Sequence, residues 1–189
     1  MSERLTTVGD ILDHTVPHLA APHLKPPMAR HVAGGLAERY REPWRRHHAV
    51  AHLGDVVGFL LENIDDLENP RAALWTAIAH DSVYVPQLEV ANGGLNEELS
   101  AQATETPLNG RLADAETTQI GDHIRLSATH KWNGEDTDLA YFLDGDLKIL
   151  GAPPDEFEAY DENIREEFWF VEQDIYDTER KRILRGLYD

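Results

Sequence analysis

No cysteine occurs in the 189 residues, which excludes disulfides, thiolate catalysis and cysteine-ligated zinc or iron–sulfur centres. Any metal must therefore sit on nitrogen and oxygen. Basic residues are scarce, with 17 lysines and arginines against 35 aspartates and glutamates and a formal charge of -18. Nucleic acid binds through many cationic contacts to phosphate, so a nucleic-acid polymer is not an expected partner. Most of the carboxylates read as solvated helix faces. Apolar runs are too short to span a bilayer and no charged-then-apolar signal opens the sequence, so no membrane association and a cytoplasmic location are the expectations. Strand-like alternation of useful length is missing too, as is any repeat period. The expected class is all-α, and the length suits one domain with a continuous core.

What is present is apolar spacing of helical period, in a chain that is 41% hydrophobic. Residues 4–20 place Leu5, Val8, Ile11, Leu12 and Val16 on one face, with Pro17 expected to end the helix. His14 and His18 lie four apart, but Pro17 interrupts them and they read as surface residues. A proline-rich connector, AAPHLKPPM, leads to a short helix over residues 28–40. Glu42 and Pro43 are expected to open the next helix, whose apolar positions are Val50, Leu53, Val57, Leu60, Leu61 and Ile64. Pro70 starts a further apolar run. SVYVPQLEVANGG reads as a loop able to cover a pocket, and LNEELSAQA as the start of another helix. A helix carrying Ile120, Ile124 and Leu126 precedes a turn at Asn133 and Gly134, followed by an apolar segment from Leu139 to Leu150. Residues 153–189 read as C-terminal packing helices, with Phe157, Tyr160, Ile164, Phe168 and Val171 at helical spacing. Trp169 and Phe170 are expected in packing contacts, a homodimer contact among them.

Chemistry concentrates in residues 40–81. On a helix His48 and His52 differ by only about 40° around the axis, so both reach one small volume. His80 and Asp81 end the next apolar run. With a later helix that bears Asp138, Asp144 and Asp146, these groups build a mixed His/Asp site of the kind that holds a divalent metal. Arg45, three residues before His48, shares its expected face and suits a bidentate contact to phosphate, or else a salt bridge to Glu42. His130 is a candidate substrate contact. Glu97 and Glu98 fit the first turn of their helix on dipole grounds alone.

The motifs YREPWRRHHAVAHL, IAHDSVY, LNEELSA and FLDGDLKILG, in that order, resemble the HD-domain superfamily of metal-dependent phosphohydrolases, in particular a small bacterial branch of predicted members. The resemblance runs from about residue 28 to the C-terminus and departs at His47, where a tyrosine commonly stands. It implies a single HD-type helical domain, with a metal-site core at about 28–150. It implies His52, His80, Asp81 and Asp146 as ligands, with Asp144 the alternative to Asp146. It also implies that His48 donates a proton while His52 binds metal, the reverse assignment remaining open, and that Glu97 sits beside the site to orient water.

Such a ligand set suits manganese, iron, cobalt, nickel, magnesium or zinc. The reaction that the resemblance implies is hydrolysis of a small phosphorylated substrate, nucleotide or nucleotide-like, with His48 as general acid. The rival expectation is a metal- and ligand-binding regulatory module that does little chemistry.

Overall fold

A computed structural model describes residues 4–132 and 134–188; Asn133 of the expected turn lies outside them, while Gly134 has the positive φ of a turn glycine. The all-α expectation holds. Among the described residues there are ten α-helices and no strand, only an isolated bridge between Ala21 and Leu24 in the proline-rich connector.

Helix α1 (Val8–Leu19) begins at a capping box, in which the Thr7 hydroxyl accepts from the Asp10 amide and the Asp10 carboxylate accepts from the Thr7 amide. Val8, Ile11, Leu12, Val16 and Leu19 form its buried stripe. Contrary to expectation, Pro17 does not end it. Pro17 and Asp13 both face solvent, so the Asp13 carbonyl that loses its helical donor can be hydrated. Helix α2 (Pro26–Ala37) starts two residues before the expected boundary, because proline is tolerated in a first turn, and passes into a 3-10 turn that buries Tyr40.

Helix α3 (Val50–Glu62) begins eight residues later than the sequence suggests; residues 42–49 are an irregular loop. Its Gly54 permits a close crossing, since a Cβ there would run into the Leu5 carbonyl. Helix α4 (Pro70–Ala79) is buried on every side from Ala72 to Ala79 and packs against α1, α2 and α3. An apolar helix without a polar face has to sit inside. Its start is fixed twice: Asn69 caps the Ala72 amide, and the buried Asp138 carboxylate accepts from the Glu68 and Asn69 amides at 2.7 and 2.8 Å.

The expected covering loop contains a short helix, α5 (Pro86–Ala91). Helices α6 (Leu95–Leu108) and α7 (Asp114–Ser127) pair with each other, and α7 also packs on α4. Helix α8 (Thr137–Asp146) lies against α3, with Gly145 beneath the Phe59 ring. Helices α9 (Pro154–Glu167) and α10 (Gln173–Tyr188) complete the described chain. Trp169, expected in a packing contact, is 74% exposed.

Candidate metal centre

Three helices bring four donor atoms together. His52 comes from the first turn of α3, His80 and Asp81 follow the last turn of α4, and Asp146 is the last residue of α8. The C-terminal ends of α4 and α8 thus converge, and the negative end of a helix dipole favours a cation. His52 Nε2 lies 3.2 Å from His80 Nε2, 3.6 Å from Asp81 Oδ2 and 3.1 Å from Asp146 Oδ1. His80 Nε2 lies 3.1 Å from Asp81 Oδ2 and 3.4 Å from Asp146 Oδ1.

These separations test the fit of an ion. Ligand bonds of about 2.0–2.2 Å place neighbouring donors about 2.8–3.1 Å apart at octahedral angles and about 3.3–3.6 Å apart at tetrahedral ones. The observed spread lies across both ranges. Donor chemistry agrees: His80 Nδ1 donates to the Ala77 carbonyl at 2.9 Å, which fixes the tautomer and turns the Nε2 lone pair toward the cluster. The buried group of His52, His80 and Asp81 can therefore hold a metal ion, and Asp146 stands within reach of both imidazoles. Asp144 faces solvent, and Asp138 is engaged at the start of α4. Neither joins the cluster.

Electrostatics reinforce the assembly. Burial works against the charged forms, yet the neighbouring imidazoles hold the Asp81 and Asp146 carboxyls well below the usual carboxylate range. For His80, burial is outweighed by the Asp81 and Asp146 carboxylates, which raise its pKa well above the ordinary value. His47 goes the other way, pushed down by burial and by His52 and His48 beside it. Its ring lies 4.7 Å from that of His52 and 4.5 Å from Tyr160.

His48 reaches the site by a different route from the one the spacing suggested. It precedes α3, so it does not share a helical face with His52. Their ring centroids are nevertheless 5.9 Å apart, because the loop folds over the end of α4. Arg45 holds that loop: its side chain is wholly buried, and its five N–H donors meet the Glu42 carboxylate twice and the carbonyls of His48, Asp81 and Ser82. A guanidinium has five donors. None is left for the expected phosphate contact, so the salt bridge to Glu42 is the alternative that the geometry contains.

His130 follows α7 with φ 50°, a left-handed conformation in which its amide closes the helix on the Leu126 and Ser127 carbonyls. Its Nε2 lies 3.2 Å from Asp146 Oδ2. Glu97, in the first turn of α6, keeps Oε2 buried without a partner, and burial together with the Glu89 and Asp81 charges pushes its carboxyl up to about 7.

Glu167 at the end of α9 was missed in the sequence. Its side chain is fully buried; Oε1 accepts from the amides of Arg46, His47 and His48, and Oε2 faces His48 Nδ1 at 2.6 Å and accepts from the Tyr84 hydroxyl at 2.9 Å. A signal existed: Tyr160, Ile164 and Glu167 are spaced i, i+4, i+7, which puts an acid in line with the apolar stripe of α9.

No protein-family model matches the chain, and neither a curated protein nor a solved structure does.

Proposed function

We propose that the protein is a metal-dependent phosphohydrolase of the HD type, acting on a small phosphoester such as a nucleotide or nucleotide-like molecule. The observation that carries this reading is the buried group of His52, His80 and Asp81, its donors 3.1–3.6 Å apart, with the half-buried Asp146 carboxylate 3.1 and 3.4 Å from the two imidazoles. Two imidazoles favour a transition ion such as manganese, iron, cobalt, nickel or zinc over magnesium. What such an ion supplies is Lewis acidity toward water and toward a phosphoryl oxygen.

The remaining chemistry falls to side chains around it. In hydrolysis a water oxygen bonds to phosphorus, the ester P–O bond breaks, and its electron pair goes to the leaving oxygen, which needs a proton. His48 is placed to give that proton: Glu167 opposes Nδ1, leaving Nε2 for the substrate. Against the effect of burial, the Glu167, Asp81 and Asp146 carboxylates together raise the His48 pKa, which favours the imidazolium. His130 borders the ligand set through Asp146, and Glu97 on α6 lies near enough to feel the Asp81 charge.

Elemental analysis of the purified chain, combined with a panel of phosphoesters, tests the reading. Stoichiometric divalent metal and metal-dependent phosphate release are expected, and Asp81→Ala should lose most of the metal and all of that release while keeping its helical content. Unchanged metal content in that variant would remove Asp81 from the ligand set. Ligand-induced thermal stabilisation without phosphate release would instead favour a binding module.

A further inference from the structure

Glu167 is separated from the loop it organises by about 120 residues of chain, yet it is the most heavily engaged carboxylate around the site. Its two oxygens do different things. Oε1 gathers three consecutive amides, those of Arg46, His47 and His48, at 2.6, 2.8 and 3.0 Å, which keeps these residues out of α3. Oε2 faces a single ring nitrogen, His48 Nδ1, and its other contact is the Tyr84 hydroxyl, whose ring stacks on His48 at 4.0 Å. A fully buried carboxylate needs donors to offset its desolvation. The geometry points to Glu167 as a positioning residue that holds the proton of His48 on Nδ1 and aims Nε2 at the metal cluster, making α9 part of the site.

This inference rests on the phosphohydrolase reading only for its kinetic consequence. An ionised carboxylate is an acceptor only, so the nitrogen that faces it must carry hydrogen. A carboxylate behind an imidazole fixes the tautomer and stabilises the imidazolium, and mis-setting the tautomer alone is costly in rate. Glu167→Gln is the discriminating change. Glutamine keeps an oxygen for the three loop amides but presents an NH2 to Nδ1, which then has to accept, so the ring proton moves to Nε2.

The test uses the full chain with 15N-labelled histidine. In the wild type a ring proton on His48 Nδ1 is expected, with the slow exchange and downfield shift of a short charged hydrogen bond. In Glu167→Gln it should be gone while helical content is kept. With an alkyl phosphate and nitrophenyl phosphate as probes, Glu167→Gln should lose about 10²–10³-fold on the alkyl ester and less than about tenfold on the nitrophenyl ester, whose leaving group needs little protonation. Combined with His48→Ala it should cost nothing further, since both changes disable one proton donor. An unprotonated Nδ1 in the wild type would overturn the assignment, and so would a proton that survives Glu167→Gln or equal losses on both esters that add to those of His48→Ala. The wild-type ring proton decides even where the variant does not fold. Should the wild type release phosphate from no ester, the proposed function falls and the ring proton alone still judges Glu167.

Discussion

His52 and His48 lie four positions apart but sit differently enough to fail differently. His52 Nε2 is within 3.6 Å of three other donor atoms, so His52→Ala should purify with little metal. His48→Ala leaves the four-donor cluster intact, so metal content should be kept while turnover of an alkyl phosphate falls roughly 10²–10⁴-fold, the usual contribution of a positioned general acid. Metal analysis of the two variants separates these roles, and a metal-free His48→Ala protein would exchange them. Glu97 supplies a pH prediction for the metal-free chain. Its carboxyl is raised from an ordinary 4.5 to about 7, mainly by burial. Between those values the folded state holds a proton that the unfolded state has released, so stability should fall as pH rises from about 4.5 to about 7 and level off above. The loss should be on the order of 2 kcal/mol after allowance for solvent screening, and Glu97→Gln should flatten that part of the curve in urea unfolding at a series of pH values. A curve of unchanged slope in the variant would assign the effect elsewhere.

His80 and Asp81 directly follow helix α4, whose start depends on a carboxylate from α8. Removing that carboxylate in Asp138→Ala leaves the Glu68 and Asn69 amides without their acceptor at a partly exposed helix start, so a loss of about 1–3 kcal/mol is expected in urea unfolding, with Asp138→Asn intermediate. A change under about 0.5 kcal/mol would mean that water replaces the carboxylate freely. At this scale much of the protein was legible in the sequence. Pro70, the unbroken apolar run and the His-Asp pair mark α4 and the candidate donors after it, and of Asp144 and Asp146 it is Asp146 that faces the two imidazoles. What stayed illegible was set by partners far along the chain. The start of α3 was misplaced because the amides of Arg46, His47 and His48, good helix donors in a local window, are held by Glu167. For Arg45 the sequence leaves phosphate and Glu42 both open, because the carbonyls of Asp81 and Ser82 that use up its remaining donors come from another element. Pro17 looks like a stop in the sequence because only burial shows that the Asp13 carbonyl it orphans lies on the wet face.

For the whole molecule the deciding quantity is the charge of -18. No helix among the described residues is long and apolar enough to cross a membrane. Polyanion binding needs cations that displace condensed counterions from many phosphates, and here the summed field opposes approach, so electrophoretic mobility shifts with duplex DNA or long RNA should be absent even at about 50 mM salt. A small phosphoester meets a different balance. On the proposed function, a divalent ion at the site would offset the Asp81 and Asp146 carboxylates, while farther out the acidic surface would repel an incoming anion. Distant repulsion is screened by salt over a Debye length of about 10 Å at 0.1 M, whereas contacts inside a buried cluster are screened much less. Raising sodium chloride from about 20 to about 200 mM should therefore increase kcat/KM for an anionic ester, by roughly twofold or more, with kcat nearly constant. A basic entrance would give the opposite slope. A fall in kcat/KM with salt would show that a local cationic path, not the global charge, governs how substrate reaches the proposed metal site.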